Sequence, residues 1–365
     1  MSAVAEPVIG PAILAPGVRR PKPGLGRRAL DALDERLGMD SLRYDVPEHA
    51  NNLGWSLGGV TGFTFIVLVL TGFILVQFYN PTPEGANQSV RDIMQRVPLG
   101  GYIRGIHFWS GQAMYVLATL HLLRVFLTGS YKRPREANWL IGVGMYGMVI
   151  GALFTGTVLK WDQEGFEALA HNLAIAKLLG GAGIWFSAGF SGSVPILVRL
   201  YGAHVVIIPG AILVLMVLHF LLIKKLKVSP DPKNPNDPGE PSGPFTHHLE
   251  RVAALGLVVL GVLGILAILF PAGIGPVPVE GIEVTKPPWM FYWLFGLENF
   301  IGVNGILYGA MALFALLVAI PFIDRGPKRY WRKRPFAIAG LVIVLGIVAF
   351  LSYTTLTTGM SSHLG

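Results

Sequence analysis

The chain of 365 residues is expected to fold as an all-α transmembrane protein, with four spans in an N-terminal bundle and three more after it. Three observations lead there. The composition is 52% hydrophobic and only 14% charged, too apolar for an ordinary soluble enzyme. Apolar runs of about 18 residues or more read as membrane-spanning helices. Seven occur, near 55–79, 102–128, 137–159, 198–223, 250–271, 303–323 and 336–356. The loops between them alternate between rich and poor in Lys and Arg, as the positive-inside rule requires.

Taken in order, residues 1–50 read as a cytoplasmic tail, polar and basic, with no apolar core of the kind a cleavable signal peptide has. Within it, 26–42 has the composition of an amphipathic helix on the membrane surface, and a solvated tail fits that composition equally. Basic residues cluster in the tail, in 130–136, in 224–248 and in 324–334, and are sparse in the intervening loops. The N-terminus is therefore expected in the cytoplasm, and seven spans carry the C-terminus to the other side. The stretch 226–246 is dense in Pro, Asp, Asn and Gly and cannot continue a helix. It separates a domain at 51–225 from one at 249–365, with 226–248 as a cytoplasmic linker. Two long outer loops, 160–197 and 272–302, contain Trp, Phe and short helix-like runs and read as ordered. The net charge of +8 follows the loop pattern rather than forming a nucleic-acid surface. With no cysteine, the chain has no disulfide, thiolate metal ligand, iron–sulfur cluster or thioether-bound haem of its own.

Four histidines carry the chemistry. His107 and His121 lie fourteen residues apart in the second span, and His204 and His219 fifteen apart in the fourth. At 1.5 Å per residue each pair is separated by about 21–22 Å along its helix. Each pair returns to within about 40–60° of one helix face. Ionisable residues inside a membrane are costly and functional by default. Two such helices side by side present two facing His–His pairs, which suits two non-covalent, bis-histidine b-type haems. Because both spans run inward, His107 should pair with His204 near the outside and His121 with His219 near the cytoplasm.

The neighbours fit. Gly58, Gly62 and Gly72 lie on the first span and Gly142 and Gly156 on the third. Gly58 to Gly72 and Gly142 to Gly156 repeat the fourteen-residue step. Close helix packing also uses glycine, but the shared step with the histidines favours contact with a flat macrocycle. Arg104 and Arg124 sit three residues outside His107 and His121, where haem propionates need a cation. Interfacial snorkelling accounts equally for either arginine alone. Trp161-Asp162-Gln163 ends the third span, and Lys286-Pro287-Pro288-Trp289-Met290 lies in the second outer loop. His49, His171, His247, His248 and His363 fall in loops or tails and read as surface residues.

These residues resemble a known family. The segment 102–163 is similar to the cytochrome b of cytochrome bc and bf complexes: the His121-x-x-Arg124 step, the Lys-Arg-Pro-Arg-Glu loop at 132–136, and Trp-Asp-Gln after Thr-Gly. The three C-terminal spans are similar to subunit IV of bf complexes, so two parts kept separate there are joined here. The resemblance implies a quinol-oxidation site on the outer side, between the 160–197 loop and the 286–290 motif. It also implies a quinone-reduction site near the His121/His219 pair, with Lys224, Ser229 and Asp231 close by. It further implies a Rieske iron–sulfur partner, a cytochrome c-type subunit and a homodimeric complex in the bacterial inner membrane, coupling quinol:acceptor electron transfer to proton translocation.

The chain departs from the family pattern at three places. Pro288 stands where the family has the glutamate of Pro-Glu-Trp-Tyr, and Glu298 lies ten residues on, about 15 Å if helical. The proton acceptor is then expected to be Asp162, Glu298 or a partner's histidine. Lys160 replaces a common proline, and Ser56 stands where bf proteins carry the cysteine of an extra covalent haem. The sites implied are Trp161, Asp162, Gln163, Pro288, Trp289 and Glu298 for quinol chemistry, and the four histidines for iron. A dihaem quinone-reactive anchor of a peripheral dehydrogenase is the alternative, disfavoured by the two outer motifs. A secondary transporter would place carboxylates or unwound backbone where these spans carry histidine.

Overall fold

The computed structural model describes residues 45–237 and 240–359, together with Arg36. The rest of the expected surface helix at 26–42, and His363, lie outside the described residues. The helices are α1 (Leu53–Leu75), α2 (Ala86–Gln95), α3 (Gly100–Leu127), α4 (Glu136–Leu159), α5 (Gln163–Leu178), α6 (Ile196–Leu226), α7 (Phe245–Leu269), α8 (Tyr292–Ile301), α9 (Val303–Ile323) and α10 (Pro335–Thr357). Six of them are long and apolar enough to cross a membrane: α1, α4, α6, α7, α9 and α10. The run expected as the second span falls in α3, whose 28 residues reach about 42 Å. Arg104, His107, His121 and Arg124 make it more polar than the other six.

Local chemistry sets the boundaries. Asn52 caps α1 by accepting from the Trp55 amide, and Asp162 caps α5 by accepting from the Gly165 amide at 3.0 Å. Pro335 opens α10, where its missing N–H costs nothing. Gly302, at φ +65°, turns the chain sharply from α8 into α9. Two short strands, β1 (Asp45–Pro47) and β2 (Pro241–Pro244), pair antiparallel and bring the two ends of the four-helix region together.

Packing joins both halves. α1 lies against α3, and α4 against α6. α7 docks on α1 and α3 through small-residue notches: a Cβ at Gly59 would meet the Val252 side chain at 2.7 Å, and one at Gly105 would meet Ala267 Cβ at 2.9 Å. The Trp139 indole donates to the Leu317 carbonyl at 2.7 Å, tying α4 to α9.

Among the described residues, the basic loops at 130–136, 224–233 and 324–334 gather at one end of the molecule. There the Asp324 carboxylate receives Lys132 at 2.6 Å, Tyr131 at 2.6 Å and Arg334 at 2.8 Å. Ser130 and Ser229 hydroxyls meet at 2.8 Å, and Arg135 donates to the Leu226 carbonyl at 2.9 Å. At the opposite end α2, the start of α5 and the segment after α7 come together, with Arg91 donating to the Gly275 carbonyl at 2.9 Å.

Candidate functional site

The four histidines fall at the two ends of the α3–α6 pair. His107 and His204 face each other with ring centroids 6.3 Å apart and planes at 65°. That centroid separation is about what two imidazoles sharing one metal atom would need, at about 2 Å per bond. His121 and His219 line a single cavity of ≈ 480 Å³ toward the basic end, with Trp55, Arg124 and Gly142 also in its wall.

A fifteen-residue step in an ideal helix turns about 60° past full turns, whereas fourteen residues fall about 40° short. The structure reconciles the two. Ala203–Ile207 form a π turn, closed by the Ile208 amide donating to the Ala203 carbonyl five residues back. Pro209 supplies the cause, since it has no N–H for the Val205 carbonyl four residues earlier. A π turn absorbs one residue, so fifteen residues in α6 do the work of fourteen in α3.

Each histidine faces a glycine on a neighbouring helix. A Cβ at Gly58 would lie 2.9 Å from His121, at Gly72 3.2 Å from His107, at Gly142 3.8 Å from His219 and at Gly156 3.1 Å from His204. Bare backbone beside each imidazole is the cradle a flat macrocycle needs. Gly62 lines the cavity too, but the atom nearest a Cβ there is Met216 Sδ at 3.8 Å.

The ring nitrogens are set differently at the two ends. Thr71 Oγ1 lies 2.9 Å from His107 Nδ1, and Thr155 Oγ1 2.8 Å from His204 Nδ1. Each threonine hydroxyl is committed as a donor to a carbonyl of its own helix, Val67 or Gly151. Nδ1 must therefore donate, which leaves Nε2 with its lone pair for a metal. His121 and His219 have no partner at Nδ1 among the described residues. Sequence reasoning missed the threonines, yet a signal was there: Thr71-Gly72 and Thr155-Gly156 repeat at one end, against Leu57-Gly58 and Ile141-Gly142 at the other.

The two arginines also differ. The Arg124 guanidinium stacks on Trp55 at 3.5 Å from the ring centroid, and its Nε has no hydrogen-bond partner among the described residues. Arg104 is engaged by the carbonyls of Ala272 and Gly273. The residues present thus fit two haems: paired imidazoles, glycine cradles, a cavity at one pair and an arginine at each.

At the end opposite the basic one, Asp162 is 1% exposed and fully engaged. It accepts from the amides of Gly165 and Gly275 and lies 3.4 Å from Lys160 Nζ. Gln163 exchanges hydrogen bonds with Val279 and donates to Glu167 at 2.8 Å. Trp161, at φ +50°, gives its carbonyl to Asn87. These residues clasp the segment after α7 onto the start of α5. Pro288 leads into the Trp289–Phe291 turn, and the Trp289 indole donates to Gln112 on α3 at 2.7 Å, beside Tyr115. Gln112 is five residues, about 7.5 Å, along α3 from His107.

Two readings are corrected: His248, with its Nδ1 buried, lines the cavity beside His121 and His219. His171 is not a surface residue: it is 4% exposed, between Glu298 at 3.2 Å and Glu283 at 3.4 Å. The reason is a polar stripe, since Gln163, Glu167 and His171 recur every four residues along the buried face of α5. Glu298, 1% exposed, has no hydrogen bond to either oxygen among the described residues apart from this close approach of His171.

Comparison with known proteins gives four findings. The family described as Cytochrome b/b6/petB matches residues 42–227. The cytochrome b6 of Heliomicrobium gestii is 37% identical over 214 residues, covering 58% of this chain and 96% of that protein. The menaquinol:cytochrome c reductase cytochrome b subunit of Geobacillus thermodenitrificans is 34% identical over 215 residues, covering 54% of this chain and 96% of that one. A solved structure described as a hyperthermophilic respiratory Complex III matches 92% of this chain and 93% of its own, with a TM-score of 0.77 at 22% identity. That likeness of fold takes in the C-terminal helices, which lie beyond the family match.

Proposed function

The chain belongs to the cytochrome b/b6 family, and from that premise we propose that it is the dihaem cytochrome b subunit of a quinol:cytochrome c-type oxidoreductase. The observation that carries this reading is the matched set of histidine and glycine pairs. Each of the four imidazoles is faced by a glycine, at both ends of the same two helices. His107 with His204, and His121 with His219, hold the iron of one b-type haem each. Arg104 and Arg124 lie toward the propionates, and Gly58, Gly62, Gly72, Gly142 and Gly156 give the macrocycles room. When bound, the two haems supply reversible one-electron carriers near opposite faces of the membrane.

In this reading α3 is the seventh span, its ionisable residues neutralised by the cofactors it holds. The basic end is cytoplasmic, placing the N-terminus there and the C-terminus outside, in a bacterial inner membrane. Residues 51–225 form the four-helix dihaem domain, 226–248 the linker and 249–365 the subunit IV-like part. Quinol is oxidised at the outer end, between the Trp161–Gln163 clasp and Pro288–Trp289, where Trp289 reaches the helix that carries His107. Quinone is reduced at the inner cavity. A Rieske iron–sulfur protein and a cytochrome c-type subunit complete a homodimeric complex that releases protons outside. The names of the relatives, a menaquinol:cytochrome c reductase subunit among them, support this over a simple membrane anchor.

Isolation of the complex from native membranes is the test. The proposal expects an iron–sulfur protein and a c-type cytochrome to co-purify with this chain. A peripheral dehydrogenase in their place would favour the anchor.

A further inference from the structure

The outer end carries a buried titratable cluster that neither the histidine pairs nor the clasp residues use. His171 on α5 donates from Nδ1 to the Glu167 carbonyl at 2.8 Å, which aims Nε2 at two carboxylates. One is Glu298 on α8, the other Glu283 on the segment preceding it. The Phe295 ring closes the pocket 4.9 Å from the imidazole centroid. The Glu167 carboxylate turns away, held by the amides of Val284 and Thr285 at 2.9 and 3.0 Å.

Two features mark the cluster as more than packing. The first is an inversion of hydrophobic order: Ile282 and Val284 are 46% and 56% exposed, while the Glu283 side chain between them is 5% exposed. An acid turned inward with apolar neighbours turned outward is costly unless function requires it. The second is position. Glu283 precedes Pro287-Pro288-Trp289 and Glu298 follows it, so the cluster brackets the motif that has proline in place of the expected glutamate.

We propose that His171, Glu283 and Glu298 form a proton-holding relay that takes up one proton of each quinol oxidised and passes it to the outer surface through Glu283. The inference rests on the outer quinol site proposed above. Oxidation of one quinol releases two electrons to one-electron acceptors and two protons. One proton is taken by the cluster and the other is left to the electron-accepting partner. The arriving proton is taken on a Glu298 oxygen and raises the charge of the cluster by one. Loss of a proton outward through Glu283 restores the starting charge. Asp162, the other acid expected as a proton acceptor, has its oxygens committed to two backbone amides. Burial lowers the affinity of His171 for a proton, but Glu298, the Glu167 carbonyl and Glu283 outweigh it, so its pKa lies above the ordinary imidazole value.

The test uses the purified complex with its partners and the variants Glu298→Gln, Glu283→Gln and Glu298→Asp, with the exposed Glu280→Gln as control. Two readouts are followed across the pH range in which histidine titrates: the rate of quinol oxidation, and the imidazolium and carboxyl bands in infrared difference spectra. The relay predicts a fall on the order of tenfold or more in both Gln variants, a changed pH profile, and partial recovery in Glu298→Asp. In both Gln variants the imidazolium band should titrate at lower pH than in the wild type. Wild-type rates and pH profile in Glu298→Gln and Glu283→Gln would overturn the relay while leaving the quinol site intact. A wild-type complex that oxidises no quinol at its outer side, although the infrared titration is as expected, would instead overturn the functional reading and the relay's role with it.

Discussion

Thr71 and Thr155 show how much of the site rests on single hydroxyls. Each accepts from the Nδ1 of a histidine and donates to its own helix, fixing tautomer and ring orientation together. Thr155→Val removes the acceptor but keeps the shape, and should weaken haem retention at the His107/His204 pair by about 10–100-fold. Titration of the apo-chain with haem, followed by absorbance, checks this; unchanged affinity would make the hydroxyl dispensable. The His121/His219 pair, whose rings no threonine touches among the described residues, should be indifferent to the change. His171 belongs to the same scale. Its role was hidden because a histidine in a loop reads as exposed, yet the four-residue spacing of Gln163, Glu167 and His171 already described a buried polar face.

Among the elements, α6 is the most instructive. The fifteen-residue step from His204 to His219 is one longer than the step in α3, and in ideal helices the two steps differ in angle by about 100°. The π turn upstream of Pro209 closes that difference. Deleting Val206 together with Pro209→Ala leaves a regular helix with a fourteen-residue step, and should keep both histidines facing α3. A single alanine inserted after Val214 turns His204 away from His219 by about 100°. Haem content per chain separates the two: full loading is expected for the deletion, and loss of one haem for the insertion. Equal loading in both would mean that the π turn does not set the register. Span positions were legible because a membrane demands long apolar runs. The π turn was not legible, since nothing in hydropathy distinguishes it. Proline at 209 was its only trace in the sequence.

For the whole molecule, the joining of two halves depends on the basic end. Asp324, at the close of α9, binds Lys132 and Tyr131 from the loop between α3 and α4, and Arg334 at the start of α10. Burial alone would raise the Asp324 carboxyl. The hydrogen bonds from Lys132 and Tyr131, with the charge of Arg334, outweigh it and hold its pKa below the ordinary carboxylate value. The sign follows: this contribution is present above the unfolded carboxylate pKa of about 3.9 and is lost as pH falls through the lower folded value. Asp324→Asn should therefore destabilise the folded chain by on the order of 1–3 kcal/mol at neutral pH, with the difference shrinking under acid. Thermal unfolding in detergent at several pH values measures it, and a pH-independent difference would assign the loss to packing. The charge alternation of the loops anticipated this gathering of basic segments at one end. It did not reveal that one aspartate organises them, because that contact joins residues nearly 200 positions apart.

In the proposed function, four histidines on α3 and α6 hold two haems, one toward each face. The most direct measurement is the b-haem count per chain, by haemochrome assay and reduced-minus-oxidised spectrum, in the wild type and in His204→Leu and His219→Leu. Two haems in the wild type and one in each variant, with a different spectral component lost in each, is the expected result. A single haem in the wild type, or the same component lost from both variants, would contradict it.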